Sequence, residues 1–315
     1  ISEWDQSWVS HKAQGLSDGI QSTFIRCATV YTHQHFKNRD EGIKVFERIL
    51  LSWAKNKPVL YPDPQDFTGW EEAGWGALRY AATMLVGDFA SFYAVYYDDF
   101  DFTLEQRQDV ESYLSDWLIN HDIDPPRTYY RCDLEDLTKF ESEENLMVDG
   151  DYCGSNRWRM GLGAVYLGLR TGNQELFTAG NRHIEISLAV IDKDGIYAPW
   201  AKKGAMALSY SRQVPEVLTL LAVAYESIGY DFYEHKLPHG AKIHEVYEAL
   251  FDFIYYPEKL DKYASTIFEY GNNIRFDNYD TYSEASLSEK WRYEMIYPEV
   301  LAAQSKGYVL RYRPD

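Results

Sequence analysis

The chain has 315 residues, a formal net charge of −18 and a hydrophobic content of 45%. That apolar share supplies a sizeable core for one large domain or two small ones and excludes disorder as a description of the whole. The acidity excludes a nucleic-acid partner, because no basic stripe is present to neutralise phosphates. No apolar run reaches the ~18 residues a membrane-spanning helix needs, so no membrane partner is expected.

Apolar residues recur at helical spacing along most of the chain, in segments of ~15–20 residues separated by polar or Gly/Pro turns. The periodicity predicts helices over Glu41–Asn56, Trp70–Tyr93, Leu104–Asn120, Asn156–Leu169, Gln174–Ile191, Ala205–Ile228, Ala241–Ile254 and Ser283–Gln304. Between Asp122 and Tyr152 an acidic stretch reads as a loop or as two short strands. No repeat of fixed length and no low-complexity segment stands out. Many paired helices of similar length are the pattern of an all-α protein, an α/α toroid (incomplete α/α barrel) of paired antiparallel helices forming one domain over residues 1–315; an irregular helical array is the alternative.

Individual residues narrow the chemistry. The 27 Tyr and 9 Trp suit a groove lined with flat rings on which sugars stack, and equally suit packing between helices. Trp70 opens TGWEEAGWGALRY, with Glu71 and Glu72 where a helix favours acidic residues; its ring either faces a substrate or starts the helix. His33 and His35 look like a ligand pair, yet no third ligand accompanies them, so neither a metal nor any other cofactor is expected. His183, His235, His239 and His244 are further histidines that could approach a cleft as a base or simply pack. Cys27, Cys132 and Cys153 allow at most one disulfide, Cys132 with Cys153 joining two loop regions, or stay as buried thiols.

Two stretches carry the strongest signal. In DGIYAPWAKKGAMALSYSRQVPEVL, from Asp194 to Leu218, Lys203 and Tyr210 stand seven apart, two helical turns, and so leave from nearly the same face. A cation and a phenol aligned in this way can hold a carboxylate while the phenolate takes a proton beside it. An ordinary amphipathic helix with a solvated basic start fits the same residues. In DGDYCGSNRWRMGLGAVYLGLRTGNQELF, from Asp149 to Phe177, Ser155 and Asn156 occupy the cap position of a helix. Asn156 either caps that helix or meets an anion at the positive end of its dipole.

Together these stretches resemble the alginate-lyase superfamily of polysaccharide lyases. Ser155-Asn156 falls on the family's Asn-His pair, Thr171-Gly172-Asn173 on its turn, Lys203 on its Arg and Tyr210 on its Tyr, without a gap; WRYEMIYP, Trp291 to Pro298, resembles its late Trp/Glu/Tyr-Pro segment. The chain departs from the pattern in having no His beside Asn156 and a Lys where the Arg is expected. The resemblance implies the toroid fold, catalytic residues at the inner helix ends and a polyuronate substrate.

The expected mechanism is β-elimination across C4–C5 of a 4-linked hexuronic acid, with catalytic Tyr210, Asn156 and Lys203. Arg157, Arg159, Lys202, Arg212, Trp70, Trp200 and Arg292 are the expected substrate-binding residues. On so acidic a chain a polyanion needs a local positive cleft, which the cationic members of this set, with Arg275, would supply within a Debye length of roughly 8–10 Å. The runner-up uses Asp149, Asp151, Asp192 and Asp194, which flank the two key helices, as paired carboxylates of an inverting glycoside hydrolase; a non-catalytic polyuronate-binding protein is the third reading. The size of the substrate leads to the expectation of a secreted or periplasmic protein, with the start at Ile1 without Met fitting either a trimmed secretory precursor or an arbitrary boundary, and a monomer is expected.

Overall fold

The structure is a computed structural model that describes residues 39–57, 85–120, 157–201, 211 and 213–255. Their elements are α1 Arg39–Asn56, α2 85–95, α3 Leu104–Asn120, α4 Arg157–Thr171, α5 Gln174–Leu188, α6 Gln213–Glu226 and α7 Ile243–Tyr255, with a helical turn at Ala198–Ala201 and 3-10 turns at Tyr97–Asp99 and Phe232–Glu234. Two isolated antiparallel bridges are the only β pairing among the described residues. The all-α expectation holds. Cys27, Cys132, Cys153, His33, His35, the 122–152 stretch and the segment Ser283–Gln304, expected to be a helix, lie outside the described residues.

Local chemistry sets the helix ends. Asp40 and Glu41 begin α1 and Lys55 ends it, matching the helix dipole at both termini. Before α3, Thr103 Oγ1 accepts from the Gln106 N–H (3.2 Å) while Gln106 Oε1 accepts from the Thr103 N–H (2.9 Å), a reciprocal capping box. The Thr171-Gly172-Asn173 turn closes α4 with Gly172 at φ 71°, and Asn173 Oδ1 then accepts from the Leu176 N–H (3.0 Å) to open α5. Three residues thus end one helix and start the next.

The described residues fall into two compact units, one of 39–120 with 159–183 and one of 157–158 with 184–255. In the first, α1, α2, α3 and α4 bury Phe46, Leu50, Phe89, Tyr93, Leu114, Leu118 and Leu167 in a single core. Much of the aromatic richness is spent here: Phe46 packs on Phe92 with ring centroids 4.1 Å apart, and Phe100 stacks on Phe102 at 5.3 Å. Tyr93 and Tyr97 both donate to Glu111 Oε1 (3.1 and 2.9 Å), and burial followed by the Glu111 charge holds the Tyr93 phenol far above its ordinary range. Helices α2 and α4 meet backbone to backbone at Gly87 and Gly163, where a Cβ at 163 would stand 2.4 Å from the Gly87 carbonyl oxygen. The α4–α5 hairpin closes in the same way, with Gly180 against the Val165 nitrogen.

The second unit contains a backbone repeat that residue identities hide. The bridges pair Ile191 with Tyr197 and Lys236 with Lys242, the second set being the first displaced by 45 positions. Asp192 N donates to Ile196 O (2.9 Å) and Gly195 N to Asp192 O (3.1 Å); Leu237 N donates to Ala241 O (2.7 Å) and Gly240 N to Leu237 O (2.9 Å). Gly195 and Gly240 both take positive φ, 78° and 105°. The turns lie side by side where α5 ends and α7 begins. His239 Nε2 is 2.9 Å from Ala189 O, and a Cβ on Gly195 would come within 3.0 Å of Glu245 O.

Between α6 and the second turn, Phe232 stacks on Tyr225 (5.0 Å) and His235 (5.9 Å), while the Tyr230 hydroxyl lies 2.8 Å from His235 Nδ1. Burial lowers the His235 pKa from its ordinary value, against an opposing pull from Glu185. A histidine held neutral in the folded state contributes stability that is full above its unfolded pKa and is lost as pH falls below ~6.5. The melting temperature should therefore drop between neutral and mildly acidic pH, and His235→Gln should make that drop smaller; an unchanged pH profile in the variant would remove His235 from this role.

Candidate active site

Of the expected site residues, Asn156, Lys202, Lys203, Tyr210, Arg212, Trp70 and Arg292 lie outside the described residues. Arg157, Arg159 and Trp200 lie within them. Arg157 opens α4 and is only 3% exposed, so its guanidinium belongs to the interior near the helix start. Arg159 Nη1 pairs with Asp88 Oδ2 at 2.7 Å, which offsets the positive charge this residue was expected to bring to a cleft. Trp200 is 6% exposed and its ring packs on Tyr197 with centroids 4.6 Å apart, leaving little of it to meet a sugar.

That packing has a consequence for the two stretches. Tyr197 also packs on Trp158, at 5.9 Å. Three rings in series therefore join the first turn of α4, the bridged turn 191–197 and the helical turn Ala198–Ala201. Asn156 immediately precedes the first of these in sequence, and Lys202 follows the last. The described flanks of the two signal-bearing stretches are in contact, although neither Trp158 nor Tyr197 announces this role in sequence, since each reads as an ordinary core aromatic.

Two buried polar atoms have no hydrogen-bond partner among the described residues: Trp158 Nε1, which belongs to the ring series, and Ser211 Oγ, which follows Tyr210 in sequence. A buried polar atom left unsatisfied costs about 1–3 kcal/mol, and both stand next to residues expected to touch substrate, Arg157 and Arg212 with Tyr210. Sequence reading passed over both.

The carboxylates and histidines divide differently. Asp192, 2% exposed, spends Oδ1 on the N–H groups of Asp194 and Ile196, both at 2.9 Å, inside its own turn. Asp194 is exposed, and Asp149 and Asp151 lie outside the described residues. His235, His239 and His244 face Tyr230 Oη, Ala189 O and Tyr233 O respectively, and His183 sits half-buried on α5. No group of three His, Cys, Asp or Glu among the described residues could hold a metal ion.

Among the described residues, helices joined by turns such as Thr171-Gly172-Asn173 define an all-α protein of paired helices. Its segment 158–260 is alginate-lyase-like, matching the family model described as Alginate lyase. The fold is shared with alginate lyase A1-III from Sphingomonas species A1, at a TM-score of 0.53 and 18% identity over 78% of this chain and 61% of that one. A histidine-to-alanine variant of alginate lyase A1-III complexed with tetrasaccharide gives 0.55 and 19% over 78% and 61%, and a tyrosine-to-phenylalanine variant complexed with tetrasaccharide gives 0.54 and 18% over 78% and 62%. The chain spans about three-fifths of the length of these proteins. No curated protein sequence matches it.

Proposed function

We propose that this chain is a polysaccharide lyase that cleaves a 4-linked polyuronate, glucuronan or mannuronan, by β-elimination. The observation that carries the reading is the ring series Trp158, Tyr197 and Trp200, which ties the start of α4 to the turn leading into Lys202–Arg212, within the segment that matches the alginate-lyase model. Abstraction of the C5 proton drives a second negative charge into the neighbouring carboxylate, so that group must be neutralised first. Asn156 and Lys203, helped by a helix N-terminus, supply hydrogen bonds and charge to the aci-carboxylate intermediate.

Tyr210 then acts as phenolate. Burial alone drives a phenol in this chain the wrong way, since Tyr166 is pushed up to about 12 by desolvation. Tyr210 therefore depends on the cations at Lys203 and Arg212 to bring its pKa down from ~10. In β-D-glucuronate or β-D-mannuronate, H5 and the C4 oxygen share a face of the ring, so one phenol removes the proton and returns it to the departing oxygen. The missing His beside Asn156 is compatible with that economy, and guluronan, where the groups lie on opposite faces, is the poorer substrate.

Incubating the protein with glucuronan, polymannuronate, polyguluronate and hyaluronan while following the conjugated-uronate absorbance tests this reading. A rise on the first two is expected, and no rise on any polymer would sink it. Asn156→Ala and Lys203→Ala should each lower kcat by about 10²-fold while raising KM far less; a change confined to KM would make both residues substrate anchors. The size of such a polymer supports a protein that meets it outside the cytoplasm, and a monomer is part of the same proposal. Inverting hydrolysis is less well supported, because Asp192 is occupied by its turn.

A further inference from the structure

The two bridged turns of the second unit give an internal control. They follow the same backbone path, and their second residues, Asp192 and Leu237, are each 2% exposed. The turn at 236–242 shows that this path forms with no carboxylate at its second position, the carboxylate bonded to its backbone being that of Glu245, whose Oε2 accepts from the Lys242 N–H at 2.7 Å. A carboxylate buried as deeply as a leucine carries a desolvation cost, so Asp192 answers to something other than turn formation.

What it adds is visible. Its Oδ1 accepts from the N–H groups of Asp194 and Ile196 at 2.9 Å each, fixing the turn on the side that delivers Tyr197. Tyr197 is the residue whose ring packs on both Trp158 and Trp200. Forty-five positions on, the turn with leucine ends instead at Lys242, a half-exposed side chain bonded to Glu234 at 2.5 Å. The buried carboxylate occurs in the turn that carries the rings and not in the one that ends at a surface ion pair.

We propose that Asp192 is a positioning residue of the lyase: its carboxylate holds Tyr197 against Trp158 and Trp200, and through them keeps the segment leading to Lys203 and Tyr210 aligned with the start of α4. The inference rests on the lyase reading. It also turns Asp192 from a candidate hydrolytic acid into a group that never touches substrate.

The test compares Asp192→Asn with Asp192→Leu in the full chain, by elimination kinetics and by circular dichroism. An amide oxygen accepts both N–H bonds, so Asp192→Asn should keep kcat within about threefold of the wild type. Asp192→Leu should still fold and melt cooperatively, as the Leu237 turn predicts, with an altered near-ultraviolet aromatic signal. Its kcat should fall by about 30-fold or more, with KM moving by less than about threefold. An Asp192→Leu protein with wild-type kcat, one that cannot fold, or an Asp192→Asn protein impaired as badly as Asp192→Leu would each overturn the proposal. Failure of the lyase reading is distinguishable, because the wild type itself would then show no elimination.

Discussion

Tyr210→Phe should abolish turnover, lowering kcat by about 10³-fold or more while leaving polyuronate binding within a few-fold of the wild type. A general base contributes about 10²–10⁴-fold, and in the proposed mechanism one oxygen serves as base and then as acid, so its removal would disable both steps. The substitution removes only the hydroxyl and keeps an aromatic ring of the same size, so polymer binding is expected to survive it. Single-turnover kinetics alongside a binding isotherm on the same polymer separate the two effects. Activity retained in the phenylalanine variant would take Tyr210 out of the chemistry and shift attention to a histidine.

The largest effect on stability is expected at the contact between α2 and α4. A Cβ at Gly87 would lie 2.3 Å from the Arg159 carbonyl oxygen and 2.8 Å from the Met160 nitrogen, and a Cβ at Gly163 would lie 2.4 Å from Gly87 O. The obstructing atoms are backbone, so no side chain can swing aside and the helices themselves must separate. Gly163→Ala and Gly87→Ala should therefore each destabilise the protein by ~3 kcal/mol or more, at the upper end of the overpacking range. Gly229→Asn is the control: its φ of 78° suits asparagine and nothing stands within 4 Å of a Cβ there, so the cost should stay under ~1 kcal/mol. Urea unfolding of the three variants measures this, and an alanine at 163 as stable as the wild type would mean that the helices do not approach as closely as described.

The parts of the fold that were legible in sequence are those governed by local chemistry. The apolar spacing predicted α3 at Leu104–Asn120, where the structure adds the Thr103–Gln106 box, and the Thr171-Gly172-Asn173 turn marked the end of α4 and the start of α5. Helix α5 was expected to run to Ile191 but stops at Leu188. The run ISLAVI is apolar except for Ser187, and from Ile186 to Ile191 it is buried on both sides of that boundary, so periodicity could not mark the place where helix gives way to the bridged turn. The 45-residue backbone repeat was hidden for a related reason: Asp192 and Leu237 share a conformation and no side-chain chemistry.

For the site, the sequence brought out two stretches through their spacing and left their link unread. Trp158, Tyr197 and Trp200 join the flanks of those stretches through buried rings, and burial of an aromatic has no signature in a single chain. The residues expected from their spacing, Asn156, Lys203 and Tyr210, lie outside the described residues, and three chosen by residue type lie within them. Arg159 was expected to bind substrate and is paired with Asp88, Arg157 is in the interior, and Trp200 spends its ring on Tyr197. A guanidinium satisfies an internal carboxylate as readily as one on a substrate, and only a long-range contact such as that of α4 with Asp88 decides between them.

Mass spectrometry of the fragments released from polymannuronate and glucuronan separates elimination from every other outcome. Each new non-reducing end should be an unsaturated uronate, lighter by one water than the corresponding hydrolysis product. Fragments at the full hydrolytic mass would instead mark a glycosidase, and intact polymer recovered with bound protein would mark a binding module; either result contradicts β-elimination.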